Sequence, residues 1–221
     1  MNKINNAKEI LVRIPVNNES IEGNLVIPAE ANGIVLFAHG SGSSRFSPRN
    51  NRVAREINDS KIATLLIDLL TNKEEVIDNQ TAEFRFNIDM LAKRLGQATQ
   101  WLQKNQSTSD MNIGYFGSST GAAAALISAT EYPKSVKAVV SRGGRPDLAE
   151  GYLQKVQSPS LLIVGGNDPV VLNLNKKALE KIPAKKRLAV VPGATHLFEE
   201  TGKLEEVSKL AIEWFSQHLR K

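Results

Sequence analysis

The sequence predicts an α/β protein: a mostly parallel, eight-stranded sheet covered by helices on both faces. Short apolar segments alternate along the chain with segments of helical period, and this alternation is typical of parallel sheets. A hydrophobic content of 41% in 221 residues is enough for a sizeable core. Since no segment has the composition of a linker, residues 1–221 are predicted to form a single domain.

Eight segments have the composition of strands. Residues 9–14 and 20–27 flank Asn17-Asn18 and predict an antiparallel hairpin at one edge of the sheet. The other segments are short and apolar, as expected for strands that are buried on both faces. They are 34–38, 62–67, 113–116, 136–140, 161–164 and 188–191.

Helices are predicted between the parallel strands. Ser47-Pro48 begins a helix that extends to about Asp59, with serine as the N-cap and proline in the first turn. Thr71 and Glu74 fit a capping box, but the polar stretch 71–81 predicts one helical turn at most. The other helices are predicted at 83–104, at 120–131, in a short segment from Asp147, at 170–181 and at 202–219.

A G-x-S-x-G pattern, Gly117 to Gly121, lies between an apolar strand and a helix of small residues. This pattern is typical of a nucleophile elbow, a sharp turn that presents a serine hydroxyl above the sheet. Ser119 is therefore expected in a strained backbone conformation. Glycine is expected at 117 and 121 because a Cβ there would collide with the facing strand or helix. The alternative interpretation is a glycine-rich turn with an incidental serine.

Three residues that together can activate a hydroxyl follow three predicted strands. They occur in the order Ser119, Asp168, His196, which is the order of the serine, acid and histidine in one large class of α/β enzymes. Such sites lie at the carboxyl ends of the strands. His196 would take the serine proton, and Asp168 would hold the imidazole in the required tautomer.

The remaining aspartates and histidines have simpler interpretations. Asp147 fits a helix N-cap, and Asp68 fits a brace for the site or for a loop. Asp168 itself also fits a cap for the helix that follows it. His39 is interpreted as a hydrogen-bonding residue that shapes the next loop, and His218 as a surface cation near a helix C-terminus.

Two backbone N–H groups are expected to form an oxyanion hole. One is that of Thr120, directly after the serine, and the other is that of Ser41, in the loop after the 34–38 strand. Gly40 and Gly42 would let that loop turn inward. A phosphate-binding loop is the alternative, but the segment lacks the lysine of a P-loop and the G-x-G-x-x-G pattern.

These segments together resemble the α/β-hydrolase superfamily and, within it, the dienelactone-hydrolase-like branch. The resemblance covers nearly the whole chain and implies an α/β-hydrolase fold with eight strands, no large cap domain and a serine-type ester hydrolase. Dienelactone hydrolases carry a cysteine nucleophile, whereas this chain has Ser119 and no cysteine. The resemblance is carried by HGSGSSRFSPRN, IDLLTNKEE, GYFGSSTGAAAAL, SRGGRPDLA, VGGNDPVV and GATHLFEE.

The expected partner is a small-molecule ester, cleaved through an acyl-enzyme. Arg142, Arg145 and Arg45 follow predicted strands, and arginine suits carboxylates and phosphates. Substrate binding by these arginines, and with it an anionic ester, is one hypothesis. Pairing with Glu74, Glu75 or Asp147 to hold loops together is the other.

Composition excludes several classes of function. Without cysteine there is no disulfide and no thiolate metal site, and neither a metal nor a cofactor is expected. The chain lacks an apolar run of membrane-spanning length and an apolar signal segment, so a cytoplasmic protein that does not bind membranes is predicted. The basic cluster at 185–187 has no interleaved aromatics, and no nucleic-acid partner is expected.

Two other functional classes stay open at this point. One is a non-catalytic binding or interaction module on a hydrolase scaffold, and the other is an acyltransferase, in which an alcohol or thiol replaces water. A monomer or a small homo-oligomer is expected.

Overall fold

A computed structural model describes residues 7–220 and arranges them around one eight-stranded sheet. The strands are β1 (Glu9–Val16), β2 (Glu19–Val26), β3 (Gly33–Ala38), β4 (Ala63–Ile67), β5 (Asn112–Ser118), β6 (Val136–Arg142), β7 (Ser160–Gly165) and β8 (Lys186–Val191). Their order in the sheet is β1-β2-β4-β3-β5-β6-β7-β8. The hairpin β1–β2 lies at one edge, as predicted, and β3 to β8 are mutually parallel.

Six α-helices and one 3₁₀ helix connect these strands within residues 7–220. The α-helices are α1 (Pro48–Asp59), α2 (Asn72–Thr81), α3 (Ile88–Lys104), α4 (Thr120–Glu131), α5 (Pro169–Lys181) and α6 (Lys203–His218); the 3₁₀ helix is Pro146–Lys155. Within residues 7–220 each connection between parallel strands contains one or two helices and loops, without a separate cap domain. This is the predicted α/β-hydrolase architecture.

The sheet separates two apolar layers. On one face α3 and α4 cover the central strands, and α3 buries a stripe of apolar residues there, namely Ile88, Leu91, Leu95, Ala98 and Leu102. On the other face α1 packs against α6 and the sheet. Because both faces are covered, β3 and β4 are buried along their whole length and are almost entirely apolar, which explains why they could be recognised in the sequence. No helix within residues 7–220 is long and apolar enough to cross a membrane.

The helix predicted at 83–104 begins later, at Ile88, and α2 is longer than the single turn predicted. Asp78 is the physical reason for the later start of α3. Its Oδ1 accepts the backbone N–H groups of Phe84 and Arg85 at 2.8 and 2.9 Å. These bonds hold the chain in a turn after Ala82, which ends α2 in a left-handed conformation (φ 56°).

The capping box at Thr71 is present, with Thr71 and Glu74 exchanging side chain-to-backbone hydrogen bonds. The predicted N-cap role of Asp147 is wrong. Arg145 occupies the cap position of the 3₁₀ helix, while the Asp147 carboxylate accepts two hydrogen bonds from the Arg145 guanidinium, at 2.9 and 2.7 Å.

Candidate active site

The turn between β5 and α4 has the geometry of a nucleophile elbow. Ser119 lies at φ 50° and ψ −119°, a strained conformation for a residue with a side chain. Two backbone hydrogen bonds stabilise it: its N–H donates to Arg142 at 3.2 Å, and its carbonyl accepts from Arg145 at 3.1 Å. The end of β6 and the turn that follows it therefore position the serine at the carboxyl edge of the sheet.

The two glycines of the elbow are there because the chain is crowded, as predicted. A Cβ on Gly121 would lie 2.3 Å from the carbonyl oxygen of His39, at the end of β3. A Cβ on Gly117 would lie 2.4 Å from the Cα of Ala122 in α4. Both distances are shorter than real contacts allow, so the strand, turn and helix can approach this closely only with glycine at these positions.

His196 and Asp168 are directly hydrogen-bonded, with Nδ1 of the imidazole 2.8 Å from Oδ2 of the carboxylate. The other carboxylate oxygen, Oδ1, accepts the backbone N–H of Val171 and caps α5. Asp168 therefore both contacts the imidazole and caps α5. Since a carboxylate accepts the Nδ1 proton, Nε2 is left as the basic nitrogen.

The imidazole of His196 packs against residues 142–143, the segment that also holds Ser119. A Cβ on Gly143 would lie 3.4 Å from ring atoms of His196, and the neighbouring Arg142 carbonyl accepts the Ser119 N–H. The His196 side chain is 39% exposed and the Asp168 side chain 14%, so water reaches the base while its carboxylate partner is shielded. No hydrogen bond joins Ser119 to His196 within residues 7–220, and in sites without substrate this contact is often longer than a hydrogen bond.

The other candidate acids and bases lie elsewhere. Asp68 binds the backbone N–H of Arg45 at 2.8 Å and also pairs with the Arg45 guanidinium. His39 has both ring nitrogens occupied: Nδ1 lies 2.9 Å from the carbonyl of Gly40, and Nε2 accepts the N–H of Leu69 at 3.1 Å. Burial lowers the pKa of His39. This residue is a neutral brace for the loop after β3, as its interpretation from the sequence anticipated.

The residues expected to form the oxyanion hole lie side by side. The loop after β3 reaches the elbow, where a Cβ on Gly40 would lie 3.1 Å from the Cβ of Ser119. The Ser41 N–H donates to the side-chain Oγ1 of Thr120 at 2.9 Å. Thr120 is the first residue of α4, so its own N–H lies outside the hydrogen-bond ladder of the helix.

Two of the three arginines considered for substrate binding are paired with carboxylates. Arg45 contacts Asp68 and, at 2.7 Å, Glu22, and its side chain is only 12% exposed. These pairs connect the loop after β3 to the strands beside it. Arg145 pairs with Asp147, and this hydrogen bond raises the pKa of the guanidinium. Asp147 is one of the three carboxylates that the sequence offered as partners for arginines that hold loops together.

Arg142 is different, because it is buried and has no carboxylate partner among residues 7–220. Its Nε lies 3.3 Å from Ser118 Oγ and its Nη2 lies 3.4 Å from Asn50 Oδ1, while Nη1 has no hydrogen-bond partner there. Burial, together with the nearby charge of Arg49, lowers the pKa of Arg142 to about 10.

Some residues beside the site could not be recognised from the sequence. Asn50 in α1 accepts the Ser118 hydroxyl at 3.0 Å and so connects the residue before the nucleophile to a helix. Asp78 holds Arg85 over the loop after β3, with Arg85 Nε 2.7 Å from Asp78 Oδ2. No periodicity or motif marks these pairs. Among the described residues, no group of three His, Asp or Glu side chains could hold a metal ion.

Comparison with known protein families shows to which family the chain belongs. The family model "Dienelactone hydrolase family" matches residues 21–219. The chain belongs to the dienelactone hydrolase family. A crystal structure of a dienelactone hydrolase from Anabaena variabilis is 55% identical, with a TM-score of 0.96 over 97% of this chain and 99% of that one. Membership of this family supports a hydrolase.

More distant structures share the fold. The esterase Est1E from Butyrivibrio proteoclasticus is 14% identical, with a TM-score of 0.78 over 94% of this chain and 98% of that one. Two curated proteins from Mycobacterium tuberculosis strains, both named "Putative phosphoribosyl transferase", are 52% identical over 94% of this dienelactone hydrolase family member. The match covers 46% of their length, so the chain spans about half of these relatives.

Proposed function

We propose that this protein is a serine hydrolase that cleaves carboxylic esters, including lactones or thioesters, through an acyl-enzyme on Ser119. The observation that carries the proposal is the 2.8 Å hydrogen bond between His196 and Asp168, beside a serine in the strained conformation of a nucleophile elbow. Ester hydrolysis also agrees with the family to which the chain belongs.

The proposed reaction begins when Nε2 of His196 takes the Ser119 hydroxyl proton as the serine oxygen attacks the ester carbonyl carbon. Asp168 stabilises the imidazolium that forms. The negative charge on the carbonyl oxygen is stabilised by the backbone N–H of Thr120 and by that of Ser41, which the oxyanion would share with the Thr120 hydroxyl oxygen. His196 then gives its proton to the leaving alcohol or thiol, and the acyl group stays on Ser119.

Deacylation repeats these steps with water as the nucleophile. His196 takes a proton from the water molecule, the hydroxide oxygen bonds to the acyl carbon, and the Ser119 oxygen leaves with the proton that His196 returns. The partial exposure of the His196 side chain gives water access to this position. The products are the carboxylic acid and the restored serine.

Acyl transfer is a second candidate, because an acyl-enzyme on Ser119 can react with an alcohol or thiol as well as with water; the mycobacterial relatives are named for phosphoribosyl transfer, which is a different reaction. At this site it would consist of passing the acyl group from Ser119 to an added alcohol instead of water. Product analysis by mass spectrometry, with and without alcohol, separates the two reactions. A non-catalytic binding role is disfavoured by the His196–Asp168 hydrogen bond beside a serine in the elbow conformation, since a module without activity has no need of this arrangement.

The experiment that tests hydrolysis is the turnover of simple esters by wild type, Ser119→Ala and Ser118→Ala. The two serines are neighbours, so the second variant controls for the loss of a hydroxyl at the turn. We expect Ser119→Ala to lose activity by a factor of about 10⁴ or more and Ser118→Ala to keep most of it. Equal activity of wild type and Ser119→Ala would refute the proposal.

A further inference from the structure

An open cavity of about 310 Å³ lies beside the loop that follows β3. Gly40 and Ser41 form part of its wall, and a Cβ on Gly40 would lie only 3.1 Å from the Cβ of Ser119. The cavity therefore lies beside a loop residue that is a close neighbour of the nucleophile. The volume is at the lower end of the range for small-molecule sites and suits a short group.

The position of the cavity in the sheet order indicates which part of an ester would enter it. Its wall comes from residues that follow β3 and β4, whereas Ser119 follows β5, and His196 follows β8 at the other side of the sheet. In the proposed reaction His196 protonates the leaving oxygen, so the alcohol part lies on the His196 side. The acyl part then extends to the opposite side, toward the cavity.

Arg85 is held rigidly at this cavity by a buried carboxylate. The Asp78 carboxylate accepts hydrogen bonds from Arg85 Nε, at 2.7 Å, and from the Arg85 backbone N–H. The Asp78 backbone carbonyl accepts a third from Arg85 Nη2, at 2.7 Å. The remaining nitrogen, Nη1, has no hydrogen-bond partner within residues 7–220 and lies 3.7 Å from where a Cβ on Gly42 would be. It is a preorganised donor beside the loop.

Other polar groups of the wall are also free to bind a ligand. The side chains of Ser41, Ser43 and Asn79 make no hydrogen bonds to other residues in the part of the chain that the structure describes. Apolar contacts come from Leu70 and from Phe46, which is 62% exposed. The wall therefore combines hydrogen-bonding groups with a limited apolar surface.

The charges of the wall disfavour an anion. The wall contains three carboxylates, those of Asp68, Glu75 and Asp78, and one guanidinium, that of Arg85. Asp78 already neutralises the charge of this guanidinium. Arg45, which pairs with Asp68, compensates for one more carboxylate. Glu75 has no ion-pair partner within residues 7–220. A carboxylate or phosphate group in this cavity would meet an excess of negative charge.

We propose that this cavity binds the acyl part of the ester, and that it selects a short, uncharged acyl group carrying a carbonyl or hydroxyl oxygen. The inference rests on the proposed function, since it assigns a subsite of the same reaction. An alkyl group of equal size would displace water from Arg85 and Asn79 without replacing the lost hydrogen bonds. Sites built in this way discriminate by about tenfold or more against the analogue that lacks the polar atom.

The test compares three ethyl esters of nearly equal shape: 4-oxopentanoate, 4-methylpentanoate and the monoester of succinic acid. They present a ketone, a branched alkyl group and a carboxylate at the same distance from the ester. We expect kcat/KM for the ketone to exceed that for the alkyl ester by about tenfold or more, and the succinate ester to be the poorest substrate. A ratio near one, or a preference for succinate, would overturn the inference.

Two variants assign the preference to the cavity. Arg85→Gln and Asn79→Leu should each reduce the ketone-to-alkyl ratio by a factor of about 3 to 10. Asn79 is exposed on α2, so its variant should fold even if loss of Arg85 unfolds the chain. Asn173→Leu, an exposed asparagine of α5 outside the cavity, is the matched control. An unchanged ratio in Asn79→Leu and in folded Arg85→Gln would overturn the assignment.

Failure of this inference can be distinguished from failure of the proposed function. Hydrolysis of ethyl acetate, whose acyl group is too short to fill the cavity, reports on the catalytic residues alone. If ethyl acetate is cleaved but the three longer esters show no preference for the ketone, the subsite is wrong and the hydrolase stands. If no ester is cleaved, the proposed function fails, and the subsite fails with it.

Discussion

The backbone N–H of Ser41 donates a hydrogen bond to the side-chain oxygen of Thr120, across 2.9 Å. This bond connects the two residues whose N–H groups are proposed to stabilise the oxyanion, which lie 79 positions apart in the chain. It fixes the loop after β3 against the first residue of α4. The Thr120 hydroxyl accepts this bond and still has its own proton to donate toward a developing negative charge.

Replacing Thr120 by valine should therefore slow catalysis without preventing binding. We expect kcat to fall by about 10- to 100-fold, with KM changed little, because the hydrogen bond from the Thr120 hydroxyl matters most when the oxyanion forms. Thr120→Ser should recover most of the activity. Thr130→Val, in the same helix and away from the site, is the control, and steady-state kinetics on one ester is the measurement. Full activity of Thr120→Val would show that the hydroxyl has no part in the reaction.

Replacing Asp168 by asparagine should separate its two roles. Asparagine is as good an N-cap as aspartate, so α5 and the melting temperature should be preserved. The imidazole would lose the carboxylate that sets its tautomer, and kcat should fall by about 10⁴-fold. Asp147→Asn should have little effect on kcat, since Asp147 binds Arg145 and not a histidine. A drop of less than about tenfold for Asp168→Asn would argue against the triad.

His39 should make the protein less stable in mild acid. Burial lowers its pKa from the ordinary value of 6.5, so the folded protein keeps it neutral while the unfolded chain takes up a proton. The stabilising contribution is complete above about pH 6.5 and is lost as the pH falls toward the folded pKa. The expected slope reaches about 1.4 kcal/mol per pH unit.

Urea unfolding between pH 5 and 8 measures this slope for wild type and for His39→Gln. The variant lacks the titrating group and should give a flatter profile. Identical profiles for the two proteins would contradict the assignment of His39 as a buried, neutral residue.

Arg142→Met should raise the free energy of unfolding, by about 1 kcal/mol or more, because it removes a buried charge that has no carboxylate partner among the described residues. The hydrogen bonds it loses are long, at 3.3 and 3.4 Å. Urea unfolding provides the measurement, and Arg52→Met, at an exposed position of α1, is the control. A loss of stability beyond about 2 kcal/mol would contradict this account.

The same variant tests whether Arg142 favours anionic esters, as its place just past the predicted strand 136–140 suggested. Its guanidinium is directed at Ser118 and Asn50, which lie on the α1 side of the sheet. We therefore expect Arg142→Met to leave the ratio of activities on matched anionic and neutral esters unchanged. A fall in that ratio would restore the substrate-binding role.

Local sequence was sufficient for the sheet and for the order of the candidate triad. The central strands β5 and β7 are buried almost throughout. Ser119 directly follows β5, and Asp168 and His196 lie in the connections that follow β7 and β8. The turn at Ser119 could be recognised because its crowding admits only glycine at 117 and 121. These features depend on neighbours in the chain or on one simple rule of topology.

Features that depend on distant partners could not be predicted. Arg45 binds Glu22 and Asp68, each 23 positions away, and no pattern in the sequence indicates that choice. The start of α3 depends on Asp78, whose carboxylate binds two backbone N–H groups beyond the end of its own helix. The cavity beside the loop after β3 is lined in part by Arg85, which the same carboxylate holds in place.

The most direct test of the central claim is the identity of the residue that reacts with a fluorophosphonate probe, read by peptide mass spectrometry. A serine activated by His196 and Asp168 should be labelled in the peptide that contains the elbow. Labelling should persist in Ser118→Ala and disappear in Ser119→Ala. Absence of labelling in wild type, or persistence of the label in Ser119→Ala, would contradict the proposed mechanism.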